Sequence, residues 1–554
     1  MTLLRPSSRP HDGATDDPRV EADAAFDRPQ GRGGGVQPSE TLALPMSRRN
    51  RLRRHLLETR GGLRPLLTLA IPLVVSTGCF SLTLFVDRTL LLWFDPSHAG
   101  AAMAAGNLYW TLASLPVMAI GYLSTIVAQA HGAKRDRAIG PAIWQAVWLT
   151  AASLPFCLAG VWIADRLFLG MGHATPLAEV EAAFFRCLML VAPGAMLEAG
   201  LSAFYVGRGQ TRTIMRANVA ATVVNLLLDA VLIFGLLGLP AMGAVGAALA
   251  TAAAMWIKVV WYGLGIARMS RQHAHQDATS AGDDRFGLRS RRPNVTLLRS
   301  LLGGGGTLGL QQMLRSAAIS GVLAAVGQIG ASALAASSLV MSLVQLATIP
   351  LIGLATAVTV LSGQRFAESG TPRASWTIAT GGVLLSGALL LPLSIVAIAW
   401  PDAVVAAFAV GPAAAEVEAL APQVQPLLLL AAALLLLDTV AQVVAAALRG
   451  LGAVRALFVT TAIASGVVLT LVPACGGKLV PLWSLLLLWT AIQAVGCLVC
   501  LLVQPVGTAT VPLFGVDAVN RDDSVEPMPG DSMQTADDHS VAIAADAVPD
   551  RIAG

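Results

Sequence analysis

The sequence predicts an all-α integral membrane protein: twelve transmembrane helices in two six-helix repeats, flanked by disordered tails. Three observations carry this. First, 55% of the 554 residues are hydrophobic and 13% are charged, with a mean hydropathy of +0.68, whereas a soluble domain carries about 25% charged residues. Second, the apolar runs are about 20–30 residues long, enough for tilted helices to cross a hydrocarbon core of about 30 Å. They are continuous and do not alternate as the strands of an outer-membrane barrel do. Third, two passages of the first half return in the second.

The runs place helices at 65–92, 103–130, 140–164, 182–206, 214–236, 242–267, 297–326, 332–362, 374–400, 424–448, 453–474 and 482–503. The domain plan is then an N-lobe over 60–267, a cytoplasmic loop over 268–296 and a C-lobe over 297–503. Residues 1–50 and 505–554 are rich in Pro, Gly, Ser and charge. They cannot bury enough apolar surface to offset chain entropy, so they are expected to be disordered. The N-terminal tail has no apolar signal-peptide core, so the first helix is expected to be an uncleaved anchor.

Positive charge sets the orientation. SRRNRLRRHLLETRGGLR precedes the first helix, and alternate loops continue the pattern with AKRDR, GRGQTRTIMR, the connection 268–299, QRFAESGTPR and RGLGAVR. The opposite loops carry little positive charge. Both tails therefore come out cytoplasmic, which needs an even number of spans. The net charge of +4 reflects this asymmetry rather than nucleic-acid binding. The six cysteines lie in or beside the predicted helices. Cys497 and Cys500 form a lone pair, too few ligands for zinc, and read as packing residues. No metal or cofactor is expected.

GAAMAAGNLYWTLASLPVMAIGYLSTIVAQAHGAKRD at 100–136 returns as GASALAASSLVMSLVQLATIPLIGLATAVTVLSGQRFAES at 330–369. AFYVGRGQTRT at 203–213 returns as AALRGLGAVRA at 446–456, with Gly207, Gly209 and Arg212 aligned to Gly450, Gly452 and Arg455. Six helices repeated in the same orientation are a transporter-like plan, with a repeat axis along the membrane normal and a cleft between lobes.

Ionisable residues within spans are rare and are candidates for function. The candidates expected to be buried are Asp87, Arg88, Glu198, Asp229, Lys258, Arg315 and Asp438, joined by the polar Asn225 and Thr251. Asn225 and Asp229 are four apart and share a helix face. The ungapped repeat sets Val468 and Val472 opposite them, so the fold itself does not demand the polar pair. A carboxylate, an amide and a second carboxylate from another helix make an oxygen-rich site able to hold H⁺ or Na⁺ reversibly. Lys258 is expected to snorkel toward the cytoplasmic surface. Arg88 points away from Asp87, and Glu198 has no assigned partner.

These residues also carry a resemblance. The chain from about 60 to 503 resembles the MATE family of multidrug and toxic compound extrusion transporters. The likeness rests on Ile71–Pro72, Val86–Asp87, GRGQT at 207–211, NLLLD at 225–229, MGAVGAALAT at 242–251 and DTVAQVVAAALRG at 438–450. It implies a twelve-helix, two-lobed antiporter of the bacterial inner membrane, exchanging drugs or organic cations for external H⁺ or Na⁺. By the same likeness Asp87, Asn225, Asp229 and Thr251 match an N-lobe ion site, and Pro72 matches a bend in the first helix. Asp438 matches the C-lobe carboxylate of the Na⁺-coupled branch. Arg315 stands where that branch has a glutamate, a fixed charge that could pair with Asp438. Arg88 replaces a usual threonine. The N-lobe is thus the expected coupling site, with H⁺ favoured.

The expectation is a monomeric transporter in contact with lipid, its substrates small organic cations or drugs. The main alternative is a flippase for lipid-linked precursors; such proteins commonly have more helices and cationic grooves. An integral membrane enzyme is disfavoured by the lack of HExxH, GxSxG or clustered-aspartate motifs in the spans. A receptor or scaffold acting through the tails is a third alternative.

Overall fold

The computed structural model describes residues 62–171, 175–276, 284–408 and 420–503. The tails expected at 1–50 and 505–554 lie outside the described residues, as does part of the central connection. The first half comprises α1 (Leu63–Phe94), α2 (Pro96–Gly121, continued as Leu123–Gly132), α3 (Ile139–Gly170), α4 (Thr175–Gly207), α5 (Thr211–Phe234) and α6 (Ala244–Gln276). In the second half, α7 runs from Val295–Ser300 through a π-helical turn at Leu301–Gly305 into Gly306–Gly327. It is followed by α8 (Ala331–Ser369), α9 (Arg373–Ala399), α10 (Ala421–Leu451), α11 (Val454–Leu471) and α12 (Leu479–Val503). A short helix, Pro401–Phe408, follows α9.

Eleven of these are long and apolar enough to span a membrane by length and composition alone. The remaining one is α7, which the π turn divides and which carries Gln311, Gln312 and Arg315 in its second part. The first connection is short because Asp95 caps α2: its carboxylate accepts from the Ser97 amide at 2.7 Å, and Pro96 opens the helix. The Ser97 contacts hold the Asp95 carboxyl below its usual range.

The central connection differs from expectation in two ways. Helix α6 continues to Gln276, well past the 267 expected. Residues 284–294 then pack against the start of α3, where Trp144 and Trp148 donate to the carbonyls of Leu288 and Arg291 at 2.9 and 2.8 Å. Arg208 lies over the rings of Phe204 and Phe286, 4.6 and 4.5 Å from their centroids. Burial there shifts the Arg208 guanidinium below its ordinary pKa, with the Asp136 carboxylate opposing the shift. Cation and rings together pin the connection to the end of α4.

The halves meet along α1–α8 and α2–α7, and where the last turns of α2 lie on α8. Small residues make this seam. A Cβ on Gly132, Gly305 or Gly353 would fall closer than 3.0 Å to backbone atoms of Gln364, Ala119 and Val74, each in the opposite half. Backbone this close needs glycine, as in close helix crossings in membranes generally.

Two hydrogen bonds then cross the seam in exchange. The Gln129 amide on α2 donates to the Gly450 carbonyl at the end of α10, at 2.8 Å. The Gln364 amide on α8 donates to the Gly207 carbonyl at the end of α4, at 2.7 Å. The acceptors are the glycines aligned by the sequence repeat. The next aligned pair, Gly209 and Gly452, takes left-handed φ of 73° and 82° where α4 and α10 end. The repeat thus encodes two matching helix ends and one reciprocal clasp. Replacing both Gln129 and Gln364 with Ala removes about 1 kcal/mol per bond. The two losses together, about 2 kcal/mol, are expected to shift the equilibrium roughly 30-fold away from the clasped conformation, read as a broader distance distribution between spin labels on α2 and α8.

Candidate functional site

Helices α1 and α5 pack along their length, and their polar residues fall on the shared face. Asn225 and Asp229, one turn apart on α5, are 1% and 0% exposed. The Asp229 carboxyl faces that of Asp87 on α1. Two facing carboxyls in a low-dielectric interior do not ionise together readily, so the pair is suited to hold one proton. Apart from that contact, Asp87 Oδ1, both polar atoms of Asn225 and both oxygens of Asp229 have no hydrogen-bond partner among the described residues. Buried polar groups are ordinarily partnered. A buried group of oxygens with free lone pairs suits a hard cation or a proton. It fits Na⁺ chemically, and it fits H⁺ through the shared carboxyl pair.

The polar strip continues along the same interface. The Thr83 hydroxyl on α1 donates to Thr222 on α5 at 3.4 Å, and Thr222 donates to the Cys79 carbonyl at 3.5 Å. Thr83 lies one turn before Asp87, and Thr222 lies one turn before Asn225, so the four line up by helical period. Sequence reasoning passed over both threonines; their spacing from the acidic residues was the available signal. Thr251 is half-buried on α6, which packs on α5, but no hydrogen bond joins it to Asp87, Asn225 or Asp229 among the described residues. Pro72 is buried in α1, roughly four turns before Asp87. Ser76 and Thr77 bond back to the carbonyls of Pro72 and Leu73 at 3.0 and 3.1 Å, and Thr77 also donates across the seam to Ile349 O at 3.2 Å. Arg88 is exposed.

Lys258 corrects the sequence expectation. It does not snorkel but lies 3.6 Å from Glu198, both side chains being largely buried. An ammonium in a low-dielectric interior is held by a carboxylate from a neighbouring helix, and Glu198 on α4 supplies it.

The second half holds its own polar cluster. Arg315 on α7 lies 3.7 Å from Asp438 on α10 and 5.4 Å from the Trp489 ring on α12. With its amide oxygen turned toward Arg315, Gln442 accepts from both terminal guanidinium nitrogens. Gln311 and Gln493 both donate to the Thr461 hydroxyl, at 3.1 and 2.7 Å. These groups border a cavity of about 80 Å³ that also reaches Arg449. The sequence placed Arg449 in a basic loop; it belongs to the last turn of α10. Among the described residues no three His, Cys, Asp or Glu side chains gather as a metal site would require.

A MatE family profile matches residues 72–231 and 310–474, covering both the α1–α5 cluster and the Arg315–Asp438 pair. The chain belongs to the MatE family. This is the multidrug and toxic compound extrusion family that its sequence resembles, and the chain is a multi-pass membrane protein. It is similar to the multidrug resistance protein PmpM of Pseudomonas aeruginosa, with 32% identity over 216 residues, 39% of this chain and 44% of that one. It is also similar to the multidrug resistance protein MdtK of Klebsiella pneumoniae, with 26% identity over 317 residues, 56% of this chain and 66% of that one. The matches thus span less than two thirds of either relative's length. Among solved structures, one described as the outward-facing conformation of a multidrug resistance MATE transporter superposes with a TM-score of 0.67. The two share 19% identity over 79% of this chain and 94% of that one. A transporter of the MOP superfamily from Pyrococcus furiosus gives a TM-score of 0.66 with 19% identity, covering 80% and 97%. At these identities the likeness concerns the fold.

Proposed function

We propose that this MATE-family chain is a secondary antiporter. It exports drugs or organic cations from the cytoplasm by alternating access, driven by H⁺ or, less favoured, Na⁺. The observation that carries the reading is the cluster of Asp87, Asn225 and Asp229: two carboxyls in contact, buried at a helix interface, with oxygens to spare. Such a pair gains or loses a cation with little rearrangement, as ion coupling requires. Thr83 and Thr222 supply further hydroxyls on the same interface, and Thr251 of α6 joins the site through the family likeness. The curated relatives, both named multidrug resistance proteins, support the cargo class.

The positive-inside pattern assigns both tails, and the ends of α2, α4, α8 and α10, to the cytoplasm. The clasp of Gln129 and Gln364 then closes the cytoplasmic end, so the conformation corresponds to an outward-facing one. Cation binding between α1 and α5 alters the packing of α1, and Pro72 marks where that helix can bend. Because α1 touches α8 through Thr77 and Gly353, a change in α1 reaches the seam. The protein acts as a monomer in the bacterial inner membrane, with no enzymatic step.

The test is efflux of a fluorescent organic cation in everted vesicles, with ΔpH and a Na⁺ gradient imposed separately. Accumulation driven by ΔpH alone is expected. Accumulation indifferent to both gradients, with transport of an undecaprenyl-linked lipid instead, would replace this reading with the flippase.

A further inference from the structure

The two halves share one helical plan, but their polar clusters differ in charge. The first-half cluster brings two carboxylates together without a basic partner between them. The second-half cavity carries Arg315 and Arg449 against the single carboxylate of Asp438. Asp438 is engaged by Arg315 at 3.7 Å. Arg449 has no carboxylate partner among the described residues; its Nε donates to the Ala445 carbonyl at 3.4 Å. Its terminal guanidinium nitrogens are therefore uncommitted beside a polar cavity, and the cavity holds one more positive charge than negative.

We propose that this cavity is a binding site for a small carboxylate group. A carboxylate restores neutrality where two arginines face one aspartate. The planar guanidinium fork of Arg449 matches its two oxygens. Gln311 and Gln493 line the same wall with amide groups, and the Trp489 ring beneath Arg315 gives an apolar floor for the carbon to which the carboxylate is attached. A cavity of about 80 Å³ admits the anionic group and a few neighbouring atoms, not a whole drug. The carboxylate comes either from a zwitterionic cargo anchored by that end or from a free small acid. The site rests on the antiporter reading only for the cargo source.

The experiment measures binding of radiolabelled benzoate to the full-length protein in nanodiscs. The wild type is compared with Arg449→Gln, Arg449→Lys, Arg315→Gln and Gly466→Ala, the last at a position of α11 where an added Cβ meets nothing within 4 Å. Saturable binding is expected, weakened about tenfold or more by Arg449→Gln, less by Arg449→Lys, which keeps the charge but not the fork, and not at all by Gly466→Ala. The sources are separated by transport of one rhodamine dye as its free acid and as its ester. Selective slowing of the free acid by Arg449→Gln assigns the site to the cargo. Equal rates for both dyes, with benzoate binding lost, assign it to a free acid. Absence of saturable benzoate binding by the wild type, or binding unchanged in both Arg449→Gln and Arg315→Gln, overturns the proposal. Because binding needs no gradient, these outcomes stand apart from failure of ion-driven efflux.

Discussion

Asp229→Asn should cut ion-driven efflux by about 10–100-fold while leaving the protein inserted and folded. The substitution conserves shape and removes the ability to gain or lose charge. It turns the contact with Asp87 from a carboxyl pair into an amide–carboxylate hydrogen bond, which needs no shared proton. Stability should change little, because Asn can donate to Asp87 Oδ1, which has no hydrogen-bond partner among the described residues. Asp87→Asn should behave alike, and Asn225→Ala should weaken coupling less, since it contributes an amide rather than a titrating oxygen. The measurement is uptake into everted vesicles, normalised to protein in the membrane. Efflux unchanged in Asp229→Asn would remove this residue from the mechanism.

Gly353→Ala should drive the seam apart. A Cβ there would lie 2.6 Å from the Val74 amide nitrogen and 2.7 Å from its Cα. Both are backbone atoms, so no side chain can rotate away, and overpacking of this kind costs about 1–3 kcal/mol. Since the clash lies between halves, the cost falls on the clasped conformation and not on either half alone. That free energy corresponds to a shift of about 5–150-fold in the ratio of clasped to opened states. Spin labels on the ends of α2 and α8 should report the longer distance. Gly132→Ala, against Gln364 of α8, should do the same. Gly466→Ala on α11, where an added Cβ meets nothing within 4 Å, is the control and should leave the distances unchanged.

Much of the architecture is readable from one-dimensional signals. The apolar runs locate the helices because lipid forces every backbone group to be satisfied within its own helix. The exception, α7, is marked in the sequence by LLGGGG and the following glutamines. Asn225 and Asp229 stand out because a polar pair is costly in an apolar run, and the repeat shows Val468 and Val472 doing without one. Contacts between distant helices are not readable in this way. Gln129 and Gly450 are 321 residues apart, and nothing local to either predicts their bond. Glu198 and Lys258 similarly read as separate charges until α4 and α6 are placed side by side. Arg449 was miscounted as loop charge because the helix end is set by Gly452 in a left-handed conformation, three residues later. Thr83 and Thr222 escaped notice because threonine is unremarkable in a membrane helix; only their alignment with Asp87 and Asn225 gives them meaning.

The most direct test of the central claim, that cargo and ion exchange through the Asp87–Asp229 pair, is proton release on cargo binding. An organic cation is titrated into purified protein in weakly buffered, Na⁺-free detergent solution containing a pH indicator. The wild type should release about one proton per bound cargo, the proton shared by the two carboxyls, and Asp229→Asn should release none while still binding. Cargo binding by the wild type without proton release, or equal release from both proteins, would contradict it.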